Sequence, residues 1–165
     1  MAQETGWRPL READLPALEA LATATYPDYP ERPAVLAERL ALAPDWCFAL
    51  EPAGSFAGYC LAHPWTETGP PALDTLLGRL PDAPSTLHLH DLVIAPEARG
   101  SGLSTVLVDT LAAKARGRFR AVTLVAITGK AAFWTRRGFR DATRPQMGPA
   151  LASYDPNAAF LSRPL

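Results

Sequence analysis

The 165-residue sequence predicts a mixed α/β domain, one central sheet with helices on both faces. Three observations carry this. From Leu87 to Ile94 both alternating faces are mostly apolar, which suits a strand covered on two sides. That run passes Pro96 and the turn Arg99-Gly100-Ser101-Gly102 into an amphipathic helix whose apolar stripe is Leu103, Val106, Leu107, Leu111 and Ala115. A second near-continuous apolar run, Ala121 to Ile127, follows the helix, and a strand–helix–strand crossover makes the two strands parallel.

The remaining elements are read in order. Gly6 to Leu10 reads as a short strand. Arg11-Glu12-Ala13-Asp14 leads into a helix with Leu15, Leu18, Leu21 and Ala22 on one face; Asp14 suits the cap and Pro16 the first turn. Tyr26-Pro27-Asp28-Tyr29-Pro30 breaks that helix, and a second follows from Pro33 to Ala43. Asp45 to Leu50 and Phe56 to His63 form a hairpin about a turn containing Gly54. Pro64 to Pro84 is a long connection, expected to hold a short helical piece near Leu73 to Leu80, and loops of this length often shape a site. Lys130 to Arg137 is a short helix ended by Gly138. Phe139 starts another strand, and Ala158 to Ser162 is expected as a last, edge strand. Nothing reads as a repeat or a linker, so one domain over 1–165 is expected.

Composition narrows the class. Apolar residues make up 48% and charged residues 20%, ordinary for a globular protein, and a net charge of −1 leaves no footprint for nucleic acid or an anionic membrane. Cys47 and Cys60 are too few for a disulfide framework and match no metal-ligand spacing; buried free thiols are expected. The start of the chain has no basic segment leading an apolar run, and no window reaches about 18 apolar residues, so a cytoplasmic protein is expected.

The stretch with most chemical content is the glycine turn. A strand feeding such a turn into a helix gathers unpaired N–H groups and a positive dipole end at one place, a ready site for phosphate. A P-loop needs a lysine at the end of the turn, and none precedes Lys114. A dinucleotide fingerprint needs a third glycine where Thr105 stands and an acid near Arg120 to Val122, and has neither. What remains, Arg99-x-x-Gly102-x-Ser104 after a strand ending Leu-Val-Ile-x-Pro, closely resembles the acyl-CoA motif of the GNAT superfamily of N-acyltransferases, Arg/Gln-x-x-Gly-x-Gly/Ala. Ser104 is the departure, and it is still small. The element order and the opening Arg8-Pro9-Leu10-Arg11-x-Ala13-Asp14-Leu15 are also similar to that superfamily.

The resemblance implies a set of roles. The main chain of Arg99, Gly100, Ser101, Gly102, Leu103 and Ser104 would hold the CoA pyrophosphate, and that of Leu92, Val93 and Ile94 would polarise the acyl carbonyl. Ala132-Phe133-Trp134-Thr135-Arg136-Arg137-Gly138-Phe139 resembles the segment Ala-x-x-Phe-Tyr-x-x-x-Gly-Phe, whose tyrosine often protonates the departing thiolate. Trp134 replaces that tyrosine, and an indole N–H cannot serve as the acid. Phe133 and Trp134 then stand as cofactor contacts or core aromatics, and Tyr154 as a substitute acid on residue type alone.

The base is sought in His88-x-His90, which falls where arylalkylamine N-acetyltransferases carry a His-Leu-His. Strand alternation puts both imidazoles on one face, with Asp91 on the other unless a bulge intervenes. An alkylammonium must lose a proton before it attacks a thioester, and histidine, with a reference pKa of about 6.5, suits that better than a solvated aspartate at about 3.9. Tyr26, Tyr29, His63, Trp65 and Asp91 are the acceptor-side candidates. The expected protein is therefore an acetyl-CoA-dependent N-acetyltransferase acting on a small primary amine by direct attack in a ternary complex, without metal, nucleic acid or membrane. No cysteine is placed for a covalent intermediate. Two rivals share the cofactor turn: a domain that holds acyl-CoA without turnover, and an acetyltransferase of protein N-termini or lysines. Many members of the superfamily dimerise, so the resemblance also admits a homodimer.

Overall fold

The computed structural model describes residues 5–165. Seven strands form one sheet: β1 (Trp7–Pro9), β2 (Cys47–Leu50), β3 (Gly58–Trp65), β4 (Thr86–Ile94), β5 (Ala121–Ala126), β6 (Arg140–Asp141) and β7 (Ala159–Pro164). Five helices lie wholly among the described residues: α1 (Leu15–Thr25), α2 (Pro33–Leu42), α3 (Leu103–Ala115), α4 (Ala131–Thr135) and α5 (Gly148–Ala152). The strand order is β1-β2-β3-β4-β5-β7-β6, antiparallel except for the parallel pair β4–β5. The expected mixed sheet with helices on both faces is what the chain forms.

Burial follows the two helix layers. On one face Leu18 of α1 and Leu36 and Leu40 of α2 pack with Tyr59, Leu61 and Val93. On the other, Leu107, Val108 and Leu111 of α3 cover Cys60, Ala62, Leu87 and Leu124. Each of these leucine and valine side chains contributes about 1.5–3 kcal/mol of burial. Both cysteines are free and buried, as expected. No helix among the described residues is long and apolar enough to cross a membrane.

Three expectations are corrected. β7 is not an edge strand: it is inserted between β5 and β6, pairing Ala121–Ala126 with Ala159–Pro164 on one side and Arg140–Asp141 on the other. The strand expected after Phe139 is only the two residues of β6, and the chain then makes a 3₁₀ turn (Pro145–Met147) and α5, both unforeseen. The 66–85 connection holds no helix. Side chains of α2 satisfy its backbone instead, Glu38 accepting from the N–H groups of Leu77 (2.7 Å) and Gly78 (3.0 Å), while Arg39 donates to the Thr75 carbonyl at 3.0 Å.

Two irregularities in the sheet make the site. The first is a bulge on β4. Leu61 lies opposite Asp91 and Ala62 opposite Leu89, so His90 is an extra residue with no partner on β3. Alternation changes parity across it: Leu87 and Leu89 face the α3 layer before the bulge, and Leu92 and Ile94 after it. The second is a fork. β4 and β5 pair only at Thr86–Ala121, Leu87–Val122 and His88–Thr123, and beyond those residues the strands part.

Candidate active site

The fork opens into a cleft of about 710 Å³, walled by Leu89, His90, Asp91, Leu92 and Ile94 from β4 and by Leu124, Val125 and Ile127 from the β5 side. One end is the glycine turn and the other is a polar chamber.

At the turn end, Gly100 and Gly102 have φ of +89° and +75°, the left-handed region that favours glycine, and open space surrounds the position a Cβ would take at each. Gly102 caps α3 with no side-chain hydrogen bond, so the first N–H groups of this 13-residue helix are left for a ligand. Arg99, Gly100, Gly102, Leu103 and Ser104 line the cleft here, with Lys130, Phe133, Trp134 and Arg137. Arg137 lies over the Phe133 ring (3.5 Å to the centroid), donates to the Phe133 carbonyl at 2.7 Å and to Ser104 Oγ at 3.4 Å, and keeps a buried Nε with no partner. Trp134 packs edge-on between Phe133 (4.9 Å) and Phe139 (5.5 Å), serving both the cleft wall and the core.

The polar chamber is lined by Tyr26, Tyr29, Glu31, His90, Asp91 and Tyr154. The bulge turns Asp91 to the α1–α2 face, where Tyr59 Oη donates to its Oδ2 at 2.6 Å. Burial pushes the Asp91 carboxyl up to about 6, with His90 and the Tyr59 hydrogen bond pulling the other way. Glu31 Oε1 sits 2.9 Å from His90 Nε2. Burial acts to raise the Glu31 pKa, yet the neighbouring His90 and hydrogen bonds from His90 and the Asp74 N–H leave it below the ordinary value. An ionised carboxylate only accepts, so His90 donates from Nε2; its Nδ1 is buried with no protein partner. Burial, then the charges of Glu31 and Asp91, pushes the Tyr154 pKa up, so its hydroxyl stays protonated.

The chamber has a roof. Tyr29 Oη donates to Asp155 Oδ2 at 2.9 Å, and Asp155 also accepts from the Thr128 N–H (2.9 Å) and hydroxyl (2.7 Å). The Leu73 N–H donates to Ser153 Oγ at 2.9 Å, which brings the long 66–85 connection to the same rim. Leu73 itself lines the cleft.

Several expected residues lie elsewhere. His88 is 1% exposed and outside the cleft lining, its Nδ1 3.0 Å from Thr123 Oγ1 where the two strands still pair. Burial holds it well below the usual histidine pKa. His63 is fully buried, donates Nδ1–H to the Pro64 carbonyl at 3.0 Å, and is depressed by burial to about 3. Trp65 stacks edge-on against His63 and donates to the Gly69 carbonyl at 2.9 Å, so neither lines the acceptor wall. Val93 and Ser101 were expected to act through their main chain; the side chain of Val93 packs beneath α1 and α2, and Ser101 Oγ turns to the Ala98 carbonyl at 3.4 Å. Glu31, Tyr59, Lys130 and Arg137 were not singled out in sequence. Glu31 stands one residue past the aromatic break, and Arg137 inside the Trp134 segment, so both neighbourhoods carried a signal. Tyr59 carried none, because its role exists only through the bulge.

A family model described as Acetyltransferase (GNAT) family matches residues 7–139. Among the curated proteins, none matches the sequence. Solved structures match along nearly the whole chain at low identity. Ard1 from Thermoplasma volcanium superposes with a TM-score of 0.73 at 16% identity, covering 96% of each chain. GphF, a GNAT-like decarboxylase in complex with isobutyryl-CoA, gives 0.79 at 20% identity, covering 96% of this chain and 98% of that one. Arabidopsis thaliana Naa50, in complex with the bisubstrate analogue CoA-Ac-MVNAL, gives 0.68 at 15% identity, covering 96% and 97%. At these identities the superpositions speak for the fold, and the family model spans most of the chain: the protein belongs to the GNAT family of acetyltransferases.

Proposed function

We propose that the protein moves an acetyl group from acetyl-CoA to a small primary amine, by direct attack while both are bound. One observation carries this: a single cleft joins the glycine turn to a chamber holding two carboxyls, an imidazole and three phenols. The turn end suits CoA. Positive-φ glycines leave the backbone open to close approach, the helix start is uncapped, and Arg137 keeps an orphan buried Nε beside it. Acetyl-CoA, which several of the matching structures' CoA complexes make the natural candidate, would supply the activated acyl group.

The chain's residues account for the remaining steps. Glu31, kept ionised, attracts an ammonium and fixes the His90 ring. Asp91, near pH 6, is a base poised to take the amine proton, because desolvation makes an aspartate basic enough for that work. His90 adjoins both carboxylates and stabilises the charge left as the proton moves. Of the three chamber phenols, Tyr29 already donates to Asp155, and Tyr154 is taken as the acid for the departing thiolate, in place of the residue where Trp134 stands. Enclosure excludes water and holds the two reactants together. The Tyr29–Asp155–Thr128 roof favours a small acceptor over an extended peptide. Cys47 and Cys60 are buried with thiol pKa values pushed up, which argues against a covalent intermediate.

The test is a turnover assay with acetyl-CoA and a panel of amines and N-terminal peptides, read by thiol release and product mass. Turnover of small amines supports the proposal. Preference for peptides moves the acceptor class to protein N-termini, and tight acetyl-CoA binding with no turnover on any acceptor makes the domain a binding module.

A further inference from the structure

Beside the cleft, on the outer side of Arg137, a second hollow of about 520 Å³ is lined by Thr105, Asp109, Arg136, Arg137, Gly138 and Arg163. Arg137 borders both hollows. Three arginines face one carboxylate here. Arg163 Nη1 pairs with Asp109 Oδ1 at 3.0 Å, and Asp109 is itself 61% exposed. Arg136 has no carboxylate within ion-pair distance among the described residues. Gly138, at φ +90°, makes room for the Arg163 stem, which lies 3.4 Å from where a Cβ would stand. The cluster is thus built by three elements, α3, the α4–β6 turn and β7, and retains excess positive charge next to the phosphate turn.

We infer that this notch binds the 3′-phosphate of the CoA nucleotide, an inference that rests on the CoA reading above. The argument is one of reach and charge. A thioester at Asp91 puts the pantetheine along the fork and the pyrophosphate at the turn. The nucleotide must then leave the cleft on the far side of the turn, and the notch is the neighbouring basic hollow. A phosphate monoester brings up to two negative charges and three acceptor oxygens, which Arg136 and Arg163 can meet with forked donors. Asp109 opposes the ligand but is held by Arg163 and open to solvent, so its repulsion is screened.

Calorimetric titration of the full chain with CoA and with 3′-dephospho-CoA, at low and at moderate salt, tests this. The expected result is CoA binding tighter by about tenfold, a preference that shrinks as salt rises. Arg136→Ala and Arg163→Ala should each reduce the preference, and together abolish it, while leaving 3′-dephospho-CoA affinity unchanged. Arg136 is exposed, so its variant reports on charge without disturbing the fold. Equal wild-type affinity for the two ligands overturns the notch and leaves the CoA reading standing. So does a preference that survives both substitutions. A folded protein that binds neither ligand overturns the CoA reading and the notch with it.

Discussion

Tyr59 donates its hydroxyl to Asp91 across the β3–β4 ladder at 2.6 Å, although its register partner is Val93, two residues away. The bond exists because His90 bulges out and rotates Asp91 to the face Tyr59 occupies. It favours the ionised carboxyl, whereas burial favours the neutral one, and burial prevails.

The first prediction follows from that balance. If Asp91 is the base, activity is lost as pH falls through about 6, the value to which burial raises its carboxyl. Tyr59→Phe removes a bond that stabilises the carboxylate, so the midpoint moves upward by roughly one pH unit. Asp91→Asn lowers kcat by about 10²–10⁴-fold and erases that limb. A pH–rate profile of kcat checks all three. The same group acts on stability with a defined sign. Its pKa is higher folded than unfolded, so the native state is favoured at low pH and loses that contribution as pH rises from about 4 through 6. Thermal unfolding of Asp91→Asn lacks this dependence.

The second concerns the turn. Gly102→Val forces a β-branched residue to φ +75° and fills the space above the helix start. The strain costs about 1–3 kcal/mol, and acetyl-CoA affinity falls by well over tenfold. Gly54, at φ +78° and equally open, is the control in the β2–β3 hairpin. Gly54→Val pays similar strain and leaves affinity unchanged in the same titration.

The third separates the two histidines. His90→Gln lowers kcat by about 10²-fold. His88→Gln, buried behind the pairing of β4 with β5, leaves kcat within about threefold and shows itself in stability, by about 1–3 kcal/mol in chemical denaturation. Equal kinetic losses would return His88 to the reaction.

The fourth addresses the roof. Asp155→Ala releases Tyr29 and Thr128 together. The KM for the amine rises several-fold while that for acetyl-CoA holds, and longer amines gain relative to short ones. Initial-rate kinetics in both substrates measure the split.

Most of the architecture was legible from local signals. Apolar runs, glycine turns and prolines reported β2 to β5 and α1 to α4 within a few residues, because each is a short-range compromise between burial and backbone freedom. The glycine turn leading into α3 was legible for the same reason. The insertion of β7 was not, since strand order depends on partners distant in sequence and Ala159–Pro164 looks the same at an edge or in the interior. The missing helix in the 66–85 loop shows the same limit from the other side: the N–H groups of Leu77 and Gly78 are taken by Glu38, some 40 residues upstream. At the site, His88 and His90 were read as equivalent by period-two logic. One extra residue on β4 separated them, leaving His88 in the core and adding Asp91 to the chamber.

The parting of β4 from β5 has a thermodynamic side. A sheet that divides in mid-course leaves main-chain groups along an interior seam, and a guest that bridges the seam binds the native chain and not the unfolded one. Resistance to unfolding is then set partly by the guest's concentration, rising by about 2.7 kcal/mol at a hundred times its dissociation constant. In Leu89 to Ile94 and Leu124 to Ala126 the alternate amides that do not point to β3 or β7 become the sensors of occupancy, exchanging with solvent when the seam is vacant and slowing when it is filled.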